Sequence, residues 1–341
     1  IIVGDSNRTG AGQHLAEFRG YWDGNHIARI VYAAGDDTTN KDDGVITMHT
    51  TPSGGGITER LRIDSSGRLL IGHSSVTNIS AHTPRVQIQG TDFSTQTLSV
   101  VSNTADASPA YLFLSKQRSG AAGGNTIVQN NDRIGEIRFN GNDGVDFACE
   151  TALIASEVDG APGADDMPGR LVFYTTSDGQ ASPTERMRIS KEGYVTTPYQ
   201  PAFKIGIMTQ GSPNSGVVSE NNGFTLKDGS SGDTFRDAFN IGGHFDQATG
   251  KFTAPVNGVY YFHFSVMRAS SSGSGSPDLR IKKNTGLMLA RSYRASYGTS
   301  FQSMNVTTIT SMTAGHYIEF ILGANMSVYE DDSYMLGYLI G

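Results

Sequence analysis

Apolar and polar positions alternate most clearly near the C-terminus. Tyr260-Tyr261-Phe262-His263-Phe264-Ser265-Val266 is built almost wholly of residues that favour strands, and Phe252, Tyr260 and Phe262 alternate toward one core. In His316–Leu322, Ile318, Phe320 and Leu322 share a face, which predicts a second half-buried strand. Tyr334–Ile340 is apolar on both faces and is therefore expected to be covered on both sides. Upstream of Thr196 the alternation is sparser and organised differently, as a repeat. Thr58-Glu59-Arg60-Leu61-Arg62-Ile63 leads through a turn at Gly67 to a second short strand, and Thr184-Glu185-Arg186-Met187-Arg188-Ile189 does the same through Gly193. The similarity extends upstream at a roughly constant offset. Ala16–Arg19 answers Gly135–Arg138, and Gly44–Thr51 answers Gly169–Thr176. Each unit has too few apolar residues to close a core alone, so the copies are expected to bury their faces by trimerising.

Composition sharpens this picture. The 341 residues include 42 Gly, and charged residues are 17%. Gly, Ser, Thr and Asn replace the missing charge, and all four are poor helix formers, so short strands with many turns are predicted. A net charge of −7 with scattered Lys and Arg argues against nucleic-acid binding. No apolar run is long enough for a membrane span. The lone Cys149 cannot form an intrachain disulfide and reads as a small buried hydrophobe. Ile1-Ile2-Val3-Gly4 has neither an initiator Met nor a leader, and Ile2-Val3-Gly4 within it resembles Leu70-Ile71-Gly72. The expectation is that a longer N-terminal part precedes it.

Phe239–Phe262 carries a more specific pattern. Asn240-x-Gly242 is followed by Phe245-Asp246, then by Thr249-Gly250-x-Phe252-x-x-Pro255-x-x-Gly258-x-Tyr260-x-Phe262. This resembles the C1q/TNF-like family at every patterned position, and Ser333–Leu339 looks like that family's closing strand. His316 departs from the pattern, standing where the family has Asp after Gly315, so the loop around it is expected to differ. Gly250 and Gly258 are expected at turns with positive φ. The resemblance implies a ten-stranded jelly roll packed as a homotrimer. The Thr-Glu-Arg-Met-Arg-Ile-x-x-x-Gly unit resembles shaft segments of tailed-phage fibres. Together the two resemblances imply an all-β trimeric fibre: a shaft of repeats at residues 1–80 and 81–197, then a C1q-like jelly-roll β-sandwich head at 198–341. The implied role is a virion tail fibre whose head attaches to a host surface glycan or lipopolysaccharide and whose partners are itself and other tail or baseplate proteins. Two alternatives remain at this point: a C1q-like trimerisation clamp with receptor binding elsewhere, and a fibre-borne polysaccharide depolymerase.

The chain has no Gly-x-Ser-x-Gly, His-Glu-x-x-His or P-loop motif, so no catalytic residues are assigned and an enzyme is not expected. Candidate receptor contacts are Tyr293, Arg294, Tyr297 and Tyr329, where aromatic rings sit beside polar groups in stretches with few apolar neighbours. The competing reading of these rings is packing against a neighbouring subunit. Of the acidic pairs, Asp36-Asp37, Asp42-Asp43 and Asp165-Asp166 read as turn residues, and Glu330, Asp331 and Asp332 are the calcium candidates. No other cofactor is expected. Ser270–Pro277 reads as a flexible loop joining two strands.

Overall fold

The computed structural model describes residues 6–209, 214–228, 237–274, 276–284, 286–294, 302–329 and 332–341. They form strands, turns and one 3-10 turn, Glu220–Asn222, so the fold is all-β. No described helix is long and apolar enough to cross a membrane. The chain divides into two compact units, Ile1–Val195 and Thr196–Gly341.

The first unit holds two sheets. Strands β1 (His14–Trp22), β2 (Asn25–Ala34), β3 (Gly44–Thr50), β4 (Thr58–Ile63), β5 (Leu69–Ile71) and β6 (Val86–Ile88) lie in sequence order, each antiparallel to the last except β6, which runs parallel to β5. This sheet continues past residue 80 to Ile88. Strands β7 (Arg133–Gly141), β8 (Cys149–Val158), β9 (Gly169–Thr175), β10 (Thr184–Ile189) and β11 (Val195–Thr196) form the second meander.

The two meanders share equivalent hydrogen bonds. Glu59 accepts two hydrogen bonds from Arg62, and Glu185 two from Arg188. Thr51 N–H donates to Ile27 O at 2.9 Å, and Thr176 N–H to Thr151 O at 3.1 Å. Each β4–β5 or β10–β11 turn closes through a glycine with positive φ: Gly67 N–H donates to Asp64 O and Gly193 N–H to Ser190 O, both at 2.9 Å. The sequence repeat is therefore a structural repeat.

Each meander is one layer thick, with two unlike faces. On one, Glu17, Val31, Thr47, Arg62 and Leu70 stand opposite one another across β1–β5. The second meander places Glu136, Ala155, Val172 and Arg188 the same way. Val31, Thr47, Ala155 and Val172 are buried beneath the flanking charged side chains. The other face carries the row Phe18, Ile30, Met48, Leu61 and Ile71, and its counterpart Ile137, Ile154, Phe173 and Met187. No residue of either row is buried.

The second unit is a sandwich. Its strands are β12 (Ala202–Thr209), β13 (Asn214–Val217), β14 (Phe224–Lys227), β15 (Phe239–Ile241), β16 (Phe245–Asp246), β17 (Lys251–Thr253), β18 (Gly258–Ser274), β19 (Asp278–Lys283), β20 (Leu287–Tyr293), β21 (Gln302–Met312), β22 (Tyr317–Val328) and β23 (Tyr334–Leu339). One layer is β14-β12-β23-β18-β21, with β15 also on β12. The other is β16-β17-β22-β19-β20, with β13 also on β22. The far half of β18 leaves β23 and pairs with β22, joining the layers into one hydrogen-bonded sheet. Rings from the two layers meet in the middle: Phe203 stacks on Phe245 and Phe252 with centroids 4.9 and 5.0 Å apart, and Phe320 meets Phe264 edge-on at 5.6 Å. Phe252, Tyr260 and Phe262 are all buried, as the alternation predicts, and the Tyr260 hydroxyl donates to Val256 O at 2.9 Å.

Four expectations need correction. Gly250 does take positive φ, and a Cβ there would lie 2.1 Å from Val218 O. Gly258 instead has ordinary φ and is small because Leu339 Cδ1 would meet its Cβ at 2.6 Å. Ser270–Pro277 is not a free connector, since β18 continues through Ser274 and pairs Gly273 with Met326. Cys149 is only half-buried, because its Sγ faces the Asp143 carboxylate at 3.4 Å rather than a core. The closing strand is covered fully on one face only, where Met335 is buried while Tyr338 remains exposed. The loop at His316 does form: His316 N–H donates to Thr313 O at 2.9 Å, and its Nδ1 accepts from Thr313 N–H at 3.3 Å.

Candidate functional site

The register of the sandwich separates its two ends. At one end the chain enters and finishes: Ala202 pairs with Tyr338, Val259 N–H donates to Gly341 O at 2.7 Å, and Gln200 Nε2 donates to Leu339 O at 2.7 Å. Lys283 and Ile318 also lie toward that end, since Ile318 pairs with Phe252 while Ala254 N–H donates to His316 O. The opposite end holds the β18–β19 connection, the close of β20 and the close of β22.

Tyr293, Arg294 and Tyr329 are all at this opposite end. Tyr293 ends β20 opposite Asp278, and its ring is 56% exposed. Arg294 N–H donates to Pro277 O at 2.9 Å, which fixes its backbone, and it is exposed. Tyr329 N–H donates to Met267 O at 2.7 Å beyond the end of β22, and its ring is exposed. Tyr293 and Tyr329 share an end but not a patch. Tyr293 is level with Gly323 through Asp278, and Tyr329 lies farther along β22 by roughly 20 Å of extended chain. Tyr297 lies outside the described residues, as do Glu330 and Asp331. Asp332 is exposed. Among the described residues no group of three or more His, Cys, Asp or Glu could hold a metal ion. Asp36 and Asp43 serve a turn, Asp43 accepting the N–H groups of Asp36 at 2.9 Å and Asp37 at 3.2 Å.

Sequence reading missed the group that organises this end. Asp278, at 2% exposure, accepts hydrogen bonds from Arg291 Nε at 2.9 Å and Arg280 Nε at 2.7 Å, with further contacts from both Nη2 atoms. Burial alone would raise this carboxyl. The hydrogen bonds from Arg291 and Arg280 outweigh it and hold the carboxyl below its usual range. Arg291 in turn lies over the Tyr293 ring, 5.2 Å from its centroid. The result is an exposed ring backed by a guanidinium whose position is set by a buried carboxylate. The signal was present in Asp278-Leu279-Arg280-Ile281, where strand alternation puts both charges on one face.

These features define the class: an all-β chain ending in a C1q-like jelly-roll sandwich. Residues 222–340 match the family model of the C1q domain. No curated protein matches the chain in sequence. Among solved structures, the carboxy-terminal domain of the bacteriophage T5 L-shaped tail fibre superposes with a TM-score of 0.46 at 16% identity, over 55% of this chain and 80% of that one. The same domain with its intra-molecular chaperone domain gives 0.46 and 16%, over 55% of this chain and 56% of that one. The globular domain of zebrafish complement 1qA protein gives 0.26 and 21%, over 42% of this chain and 98% of that one.

Proposed function

We propose that the chain is the distal part of a homotrimeric virion tail fibre, with the meanders as shaft and the C1q-like unit as the head that attaches to a host surface glycan or lipopolysaccharide. The observation that carries the reading is the pair of single-layer meanders, each with an apolar row of which no residue is fully buried among the described residues. A lone layer of this kind is stable only against other layers, and other copies of the chain supply them. The C1q match supports three copies. Attachment is assigned to the end of the head away from chain entry, where Tyr293 is exposed over Arg291 with Arg294 beside it. Weak single contacts gain strength when several heads engage together.

Light scattering on the whole chain and on residues 202–341 tests the assembly, and a trimeric mass for both is expected. A monomer for both removes the shaft argument and the head argument together. Cell adsorption by a Tyr293→Ala, Arg294→Ala variant tests attachment, with loss expected. Unchanged adsorption by a trimeric variant favours the second reading, in which the C1q-like unit is mainly a clamp that sets the register of the shaft strands.

A further inference from the structure

Between the two meanders, residues 91–130 contain no strand. Yet two runs within it, Thr97-Leu98-Ser99-Val100-Val101-Ser102 and Ala110-Tyr111-Leu112-Phe113-Leu114-Ser115, have the composition of strands. Their large side chains are open to solvent: Leu98 is 76% exposed, Leu112 72% and Phe113 78%. Tyr111 and Phe113 stack at 5.2 Å, as residues two apart do on one face of an extended chain. None of the backbone groups of Leu98–Val101 or Tyr111–Leu114 has a hydrogen-bond partner among the described residues. Contiguous apolar surface and open strand backbone together mark a surface awaiting a strand partner.

The base of the segment is fixed. Arg118 donates two hydrogen bonds at 2.6 Å to the buried Asp132 of the second meander, Lys116 pairs with the same carboxylate at 3.1 Å, and the Leu114 side chain lies against Gly135 of β7. Between the runs, Ser102 and Thr104 both donate to Ser108 O, closing a bend. The segment is thus an arm held at its root and folded at its tip.

We propose that residues 97–115 are an assembly arm whose two runs pair, backbone to backbone, with a second copy of this chain. The occupant is argued from charge and from the rest of the unit. Thr97–Ser115 carries one residue charged at neutral pH, Asp106, and it sits in the bend. Identical runs laid side by side put like residues together, which a charged run resists and this one tolerates. The partly open apolar rows of both meanders call for the same partner. The proposal rests on the assembly of copies proposed above, and its test separates the two.

Hydrogen–deuterium exchange read by mass spectrometry on the purified whole chain, with its mass measured on the same sample, decides the question. In an assembled chain, Leu98–Val101 and Tyr111–Leu114 are expected to exchange at least about tenfold more slowly than Asn103–Ser108. Assembly with free exchange in both runs overturns the arm and leaves the fibre reading standing, including the case where a different protein is the partner. Slow exchange in a monomer also overturns it, since the runs then pair within their own chain. A monomer with free exchange overturns both. As a second measurement, Leu112→Pro removes one amide and blocks strand pairing. It is expected to speed exchange across Tyr111–Leu114 while Arg133–Gly141 of β7 stays protected. Unchanged exchange at Tyr111 and Phe113 in that variant also overturns the arm.

Discussion

The meanders and the head solve one problem in different ways. Both are antiparallel sheets with an apolar side. The head folds a second layer over its own, so that Phe203, Phe252, Phe262 and Phe320 are buried in one cluster. Each meander leaves Phe18 and Ile30, or Ile137, in the open and buries only the side roofed by its charged residues. The lesson is that a sheet that closes its own core and a sheet that leaves its apolar row partly open carry different side chains. The self-contained core fills with rings that interlock, whereas each open row mixes one ring, Phe18 or Phe173, with aliphatic residues and Met along a single layer.

That contrast can be broken in several places. The largest effect is expected from Ile30→Asp with Ile154→Asp, one charge on each apolar row. If other copies cover those rows, calorimetry should show the shaft transition lost and the head transition unmoved; an unchanged shaft transition means the rows face water. Next, Phe252→Ala should lower head stability by about 3–5 kcal/mol in denaturant unfolding, because it empties the middle of the ring cluster. Gly250→Ala should cost about 1–3 kcal/mol from backbone strain alone, and more because its Cβ meets Val218 O. Gly243→Ala has the same positive φ but open space around it, and should show the strain without the clash. Acid gives a smaller effect. The Asp278 carboxyl sits below its unfolded value, so its contribution is present above about pH 4 and is lost as pH falls through the folded value. The neutral His263, depressed by burial, acts in the same direction. Denaturation midpoints of the head should therefore fall on acidification, and Asp278→Asn should flatten that slope. Last, Tyr293→Ala should move stability by no more than about 0.5 kcal/mol; a larger change would mean that the ring belongs to the packing rather than to an open surface.

Much of the fold was legible because it rests on alternation and on glycine. The Thr-Glu-Arg repeats fell on β4 and β10, and the Gly250–Phe262 motif on β17 and β18. Sequence also indicated that the repeats lack a core of their own, since their apolar residues were too few. What stayed hidden was contact between residues distant in sequence. Asp278 joins Arg280, two residues away, to Arg291 on the next strand, and only register brings the third member in. Gly258 was read as a turn glycine because its crowding by Leu339 comes from the far end of the chain. Ser270–Ser274 looked like a linker because Ser and Gly say nothing of the β22 strand that pairs with them. Tyr293 and Tyr329 were read as similar stretches, and only the strands show them at one end yet apart.

The entry and exit of the chain at one end of the head have a mechanical side. β12 is the first strand of the head and pairs over five residues with the last, β23, with Ala202 facing Tyr338 and Gly206 facing Tyr334. In the proposed fibre, pulled from upstream of residue 202 against a load held at the opposite end, the tension runs along β12. Its ladder to β23 is then loaded in shear, all rungs at once, rather than peeled open one rung at a time.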